Sequence, residues 1–252
     1  MNIVLITGVF VLGLLFGSFL NVCIYRIPSG ESIVTGRSHC TSCGEAIKPY
    51  DLIPLLSYFI LKGRCRNCGG AISPRYPIIE FLNAVLYAAL FYRYGLTPAF
   101  CIYALFVSAL IVATFIDIDK MVIPDRINIS IIVIGVFACF ISRDILWWER
   151  VIGFFAASFP LLIAMLISKG GMGFGDIKLA AAAGLVVGYK FALFSLLASC
   201  IIGAVYGIIY IRAKGANLKT AIPFGPFLSI AFFISLFFGK IIISSYLSLF
   251  YR

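Results

Sequence analysis

The chain has 252 residues, is 62% hydrophobic and only 12% charged, with a mean hydropathy of +1.09. Soluble globular domains are about half apolar and about a quarter charged, so this composition excludes that class, and it excludes disorder. Twenty basic residues against ten acidic ones give a net charge of +10, which in a membrane protein is first a topology signal and only then a hint of nucleic acid.

Apolar runs of bilayer-spanning character occur at 3–23, 78–92, 100–116, 127–141, 151–168, 177–188, 191–211 and 223–250. They predict an all-α polytopic membrane protein with about eight transmembrane helices. The run at 177–188 is the shortest, and fits a short or tilted helix. The first run reads as a retained helix and not as a signal peptide, because no basic residue precedes Arg26. Gly13 and Gly17 lie four apart on it, the spacing that lets two membrane helices approach closely.

Eight spans put both termini on one side. The odd-numbered connections then carry Arg26, Arg37, Lys48, Lys62, Arg64, Arg66, Arg75, Lys120, Arg126, Lys169, Lys178, Arg212, Lys214 and Lys219, fourteen basic residues. The opposite side carries only Arg93, Arg143, Arg150, Lys190, Lys240 and Arg252. The bias places the odd connections in the cytoplasm and both termini outside. Topology therefore accounts for most of the charge. The expected surroundings are membrane lipid, and no nucleic-acid partner is expected.

The one sizeable polar stretch, 26–76, holds four of the eight cysteines, as Cys40-Thr-Ser-Cys43 and Cys65-Arg-Asn-Cys68. Each pair is followed by a glycine, Gly44 or Gly69. Two-residue spacing lets both sulfurs of a tight turn reach one ion, and two such turns complete a four-thiolate zinc site. Disulfides are the alternative, but a cytoplasmic location argues against them. Four protein ligands leave no open position, so the Zn2+ is expected to be structural. Cys23, Cys101, Cys139 and Cys200 lie in apolar runs and read as small buried hydrophobes. His39 reads as a surface loop residue beside Cys40.

Carboxylates at membrane depth are costly and mark function. Asp117 and Asp119 close the third run, Asp125 follows Pro124, and Asp176 ends the glycine-rich stretch 170–176. Two acids brought together in a low dielectric share one proton, so one can act as base and the other as acid on a water molecule. The structural alternative for Asp176, as for Asp125, is a helix N-cap.

At this point the residues resemble a family. GSFLNVCIYRIP at 17–28, the four cysteines, IPLLS at 53–57, GRC at 63–65, RYPIIE at 75–80, IDID at 116–119 with IPD at 123–125, and GFGD at 173–176 are similar to the motifs of the type IV prepilin peptidases, membrane aspartic proteases with a G-x-G-D signature. The resemblance runs through most of the chain. It implies Asp117 and Asp176 as the catalytic pair, and cleavage of the basic leader of a prepilin or pseudopilin at the cytoplasmic edge of the membrane. It also implies N-methylation of the new terminus with S-adenosylmethionine, carried by the first cytoplasmic segment and adjacent helices. The division expected is a first helix at 1–25, a zinc-binding, methyltransferase-associated segment at 26–76 and a peptidase domain at 77–252. A bacterial inner-membrane location follows.

No glycine-rich nucleotide fingerprint marks the cofactor pocket. Ser18, Asn21 and Tyr25 share one face of the first helix, and Tyr76, Glu80 and Asn83 one face of the second. Glu80 and Asn21 are the candidate cofactor-binding residues, with interhelical hydrogen bonding as the structural alternative. The alternatives to the bifunctional enzyme are a peptidase alone, a non-enzymatic zinc-ribbon assembly factor, and a transporter that relays protons.

Overall fold

Lipid offers no hydrogen bonds, so an apolar run must satisfy its own backbone, and the helix does that within one segment. The computed structural model describes residues 3–142, 145–168, 171–215 and 220–250. Arg143, Asp144, Lys169, Gly170, Lys219 and Arg252 lie outside the described residues. The helices are α1 (Ile3–Ser29), α2 (Leu56–Ile60), α3 (Arg75–Tyr94), α4 (Pro98–Lys120), α5 (Asp125–Ile141), α6 (Trp147–Ile167), α7 (Phe174–Val187), α8 (Tyr189–Lys214) and α9 (Gly225–Phe250). No strand occurs among the described residues beyond two isolated bridges.

Five helices, α1, α4, α6, α8 and α9, are long and apolar enough to cross a membrane. The other three long helices, α3, α5 and α7, coincide with the remaining runs expected to span. α5 has 17 residues and α7 has 14. At about 1.5 Å per residue they reach about 25 and about 21 Å, short of a bilayer core of about 30 Å. α3 is long enough, but Glu80, Asn83 and several tyrosines dilute its apolar character.

The chain forms two compact units, Met1–Val112 and Ala113–Arg252. In the first, α1 packs on α3 through its small residues. A side chain at Gly13 would meet the Cα of Ala84 at 2.6 Å, and one at Gly17 would meet the Cα of Glu80 at 2.6 Å. The spacing read from the sequence is therefore a packing seam. Polar groups fasten it: Asn83 donates to the Gly13 carbonyl at 2.7 Å, Asn21 donates to the Tyr76 carbonyl at 3.2 Å, and Ser108 donates to Asn83 Oδ1 at 2.9 Å. Arg26, counted in the sequence as a cytoplasmic surface charge, is buried instead. Its guanidinium donates to the carbonyls of Ser32, Thr35, Gly36 and Arg37, and so folds the start of the polar segment around itself.

In the second unit α7 is the internal helix. Its Ala180–Gly184 stretch is small enough for neighbours to close on it, and Gly184 and Gly153 of α6 are in backbone contact. Arg150, expected at the outer surface, is fully buried in α6 and donates to the Val186 carbonyl near the end of α7. That position lets its charge face the negative end of the α7 dipole. Of the four cysteines in apolar runs only Cys23 is buried; Cys101 and Cys200 are exposed, as lipid-facing positions are in a membrane protein.

Candidate active site and metal centre

Asp117 lies in the last turn of α4 and Asp176 in the first turn of α7. Both side chains are buried, at 4% and 8% relative exposure. Asp117 Oδ2 accepts the backbone N–H of Gly225 at 2.9 Å. Asp176 makes no capping bond, because Gly173 holds the N-cap position of α7, and its Oδ1 is buried without a hydrogen-bond partner. The two carboxylates are near enough for the charge of one to act on the other. Neither has a basic partner among the described residues.

Three turns build this arrangement. A side chain at Gly225 would stand 2.7 Å from Asp117 Oδ2 and 3.1 Å from Ile123 Cδ1, and one at Gly175 would stand 3.2 Å from Ile123 Cβ. Ile123 is thus the apolar residue on which the 173–176 and 223–226 turns both close. A Cβ at Gly225 would displace the Asp117 oxygen, and one at Gly175 would press on Ile123. Gly225 is a site residue that the sequence motifs do not single out. A signal for it exists in the Pro223-Phe-Gly-Pro226 turn, where prolines rigidify both sides of a glycine.

The other acids stand apart from this pair. Asp119 is exposed. Asp125 is not the N-cap of α5 expected from its place after proline; Pro124 is. Asp125 is the first helical residue and pairs with Lys178 at 2.7 Å, with both side chains largely in solvent. An exposed pair of this kind contributes little to stability.

In the first unit the two cysteine turns have one hydrogen-bond pattern. Cys40 N–H donates to the Glu45 carbonyl and Gly44 N–H to the Cys40 carbonyl, at 2.9 and 2.8 Å. Cys65 N–H donates to the Gly70 carbonyl and Gly69 N–H to the Cys65 carbonyl, at 2.8 and 3.0 Å. Gly44 and Gly69 take φ of +74° and +71°, the left-handed conformation that each turn needs. All four sulfurs lie within 4.8 Å of one another, and Cys40 Sγ is 3.9 Å from Cys68 Sγ. A tetrahedron with Zn–S of about 2.3 Å has edges of about 3.8 Å, so the cluster fits zinc. The backbone N–H groups of Cys43 and Ser42 push the Cys40 thiol down to about 6, while hydrogen bonding among the thiols pushes the neighbouring Cys68 up to about 11, as clustered thiols cannot all ionise without a cation among them. His39 is exposed and outside the cluster.

A cavity of about 700 Å³ opens in the same unit, lined by α1, α3 and the cysteine segment. Glu80 and Asn21 both face it, at 8% and 7% exposure. Glu80 Oε2 accepts the Leu55 N–H at 2.9 Å and the carboxylate also accepts from Ser18. Leu55 lies in the IPLLS motif at 53–57, but the motif does not announce its part, which is played by its backbone.

A helical membrane protein with a four-thiol cluster that fits a metal in one unit and a buried pair of carboxylates in the other is the class that fold and site define. The family described as Bacterial Peptidase A24 N-terminal domain matches residues 11–94, and the Type IV leader peptidase family matches 104–208. Proteins named Prepilin leader peptidase/N-methyltransferase are similar along almost their whole length. The one from Pseudomonas aeruginosa is 33% identical over 94% of this chain and 91% of its own. That from Aeromonas salmonicida is 36% identical over 95% and 93%, and that from Bacillus subtilis 35% identical over 95% and 97%. No solved structure matches. The chain belongs to the type IV leader peptidase family.

Proposed function

We propose that this chain is a multi-pass enzyme of the bacterial inner membrane that removes the leader peptide of prepilins or pseudopilins and then N-methylates the new terminus. The relatives' names support both activities. The single observation that carries the peptidase reading is the burial of Asp117 and Asp176, 59 positions apart in the chain, in one unit and without a cation beside them among the described residues.

One carboxylate of such a pair deprotonates water while the other, holding the shared proton, hydrogen-bonds the scissile carbonyl. The roles then exchange as the leaving amine is protonated. The Gly225 N–H fixes one oxygen of Asp117, so that carboxylate presents a constant face to the water. The buried, unpartnered Oδ1 of Asp176 is free to bond the incoming water or carbonyl. The dyad chemistry needs only these two acids and the water. Cys40, Cys43, Cys65 and Cys68 would hold Zn2+, which would cross-link a segment with little core of its own. S-adenosylmethionine would supply the methyl group of the second reaction, with Glu80 and Asn21 as candidate contacts.

The topology that goes with this reading has eight membrane-embedded helices, α1 and α3 to α9. The odd connections, with the cysteine segment and both aspartates, face the cytoplasm, and the termini lie outside. Residues 26–76 serve methylation and 77–252 serve cleavage. Mass spectrometry of a prepilin co-expressed with wild type or Asp176→Asn tests it. Wild type is expected to yield a substrate without leader and one methyl group heavier; cleavage that survives in Asp176→Asn removes the dyad. A scaffold that only assembles a complex would tolerate Asp→Asn at both positions.

A further inference from the structure

Among the described residues the carboxylate of Glu80 forms a buried acid site apart from the aspartate pair, and the peptidase reaction does not use it. It lies on α3, in the wall of the 700 Å³ cavity, and receives two neutral donors, the Leu55 N–H and the Ser18 hydroxyl. No cation partners it among the described residues. A buried carboxylate is costly unless a positive group completes its surroundings.

The donor on Glu80 comes from a strained place. Leu55 has φ 60° and ψ −54°, and the Leu56 N–H donates to the Pro54 carbonyl at 2.7 Å, which closes a γ-turn about Leu55. For a residue with a side chain this turn is rare and strained. Such strain persists where the surroundings over-determine it, and it clusters at sites of function. Here it aims one N–H at Glu80 Oε2 and leaves the other oxygen to Ser18 or a ligand.

The rest of the cavity combines groups suited to a donor with the charged side chains of Arg26, Glu45, Lys48, Asp51 and Arg66 and with His39. Its volume is in the range of about 300–1,000 Å³ that holds small ligands. Tyr25 and Tyr76 contribute aromatic rings, which stack on a purine and attract a sulfonium cation. Asn21 gives its amide N–H groups to the Tyr76 and Gly17 carbonyls, so its oxygen is the acceptor that remains.

We propose that this cavity is a methyl-transfer chamber that takes S-adenosylmethionine together with the substrate's new N-terminal amine, and that Glu80, held by the Leu55 turn, accepts the proton of that amine. The inference rests on the methyltransferase reading above and gives it a place. The terminus arrives as an ammonium and passes one proton to Glu80. Its nitrogen lone pair then forms the N–CH3 bond as the CH3–S bond breaks, and the bonding pair stays on sulfur, leaving neutral S-adenosylhomocysteine.

The test uses the full chain in detergent, with bound zinc and leader cleavage as checks of folding. Binding of radiolabelled S-adenosylmethionine is measured by equilibrium dialysis, and methylation by mass spectrometry of a cleaved prepilin. Val22→Trp fills the cavity from α1, and Ile53→Trp fills it from the segment should α1 not accept the larger ring. Filling is expected to weaken donor binding by about tenfold or more while cleavage continues. Glu80→Gln is expected to bind the donor but to methylate about a hundredfold more slowly at neutral pH, recovering toward pH 8–9 as the amine loses its proton unaided; Glu80→Asp should restore part of the rate. Unchanged donor binding in both filled variants overturns the chamber. Normal methylation by Glu80→Gln overturns the role of that residue. A wild-type protein that binds no donor and methylates none of several prepilins defeats the methyltransferase reading itself, a result distinct from either.

Discussion

Between Pro49 and Ile60 only Ser57 is buried, whereas α7 hides eleven of its fourteen residues. Both stretches carry a proposed site, yet their order has different sources. The cysteine segment buries few side chains and is shaped by local hydrogen bonds, by the Arg26 clamp and by four sulfurs converging on one point. α7 is tied at its end by the Arg150 bond to the Val186 carbonyl, and along its length close packing around alanines and glycine holds it. A segment held by ligands fails when a ligand is lost, and one held by packing fails when volume is added.

The largest expected effect separates chemistry from packing in the second unit. Asp176→Asn or Asp117→Asn keeps side-chain volume and should lower leader cleavage by about a thousandfold or more while the protein still folds. Asp125→Asn, which disrupts only the exposed contact to Lys178, should stay within about threefold of wild type. Gel-shift cleavage assays read both, and inactivation of Asp125→Asn would reassign the pair.

Next comes the staple. Cys40→Ser combined with Cys65→Ser should release zinc, and the segment 26–76 should become a substrate for a soluble protease while the second unit stays protected. Wild-type protein that purifies without zinc would remove the metal reading.

Added volume should have the converse effect. Gly184→Leu drives a side chain into the Gly153 backbone and should cost about 1–3 kcal/mol. A lowered thermal midpoint in detergent with zinc still bound is the expected signature. An unchanged midpoint would mean that α7 is not held by packing.

The smallest effect lies within the cysteine segment. The hydrogen bond from Arg66 holds the Asp51 carboxyl below the usual carboxylate range. The pair therefore contributes above the unfolded value and its contribution is lost as pH falls through the folded one. Asp51→Asn should make the segment slightly easier to digest at neutral pH, and the difference from wild type should shrink on acidification and in high salt.

The cysteine turns are legible in the sequence because their chemistry is local. Spacing, glycine and hydrogen bonds all fall within eight residues, so residue order alone names the four sulfurs. The apolar runs likewise mark every long helix, although length and composition qualify only five of them as spans on their own. Arg26 and Arg150 mislead because a basic residue at a helix end looks like a surface charge until the carbonyls that surround it are known. For Arg26 these belong to the loop that follows it, and for Arg150 the carbonyl is that of Val186, 36 positions on.

By itself, then, the sequence determined the membrane class, the helical content, the four-cysteine module and the family, since composition, periodicity and short-range spacing carry them. The tertiary structure decided that α7 is internal, that Gly225 holds Asp117, and that the Leu55 turn meets Glu80. Each of these joins residues distant in the chain, and where the join is a backbone N–H it leaves no mark on side-chain identity.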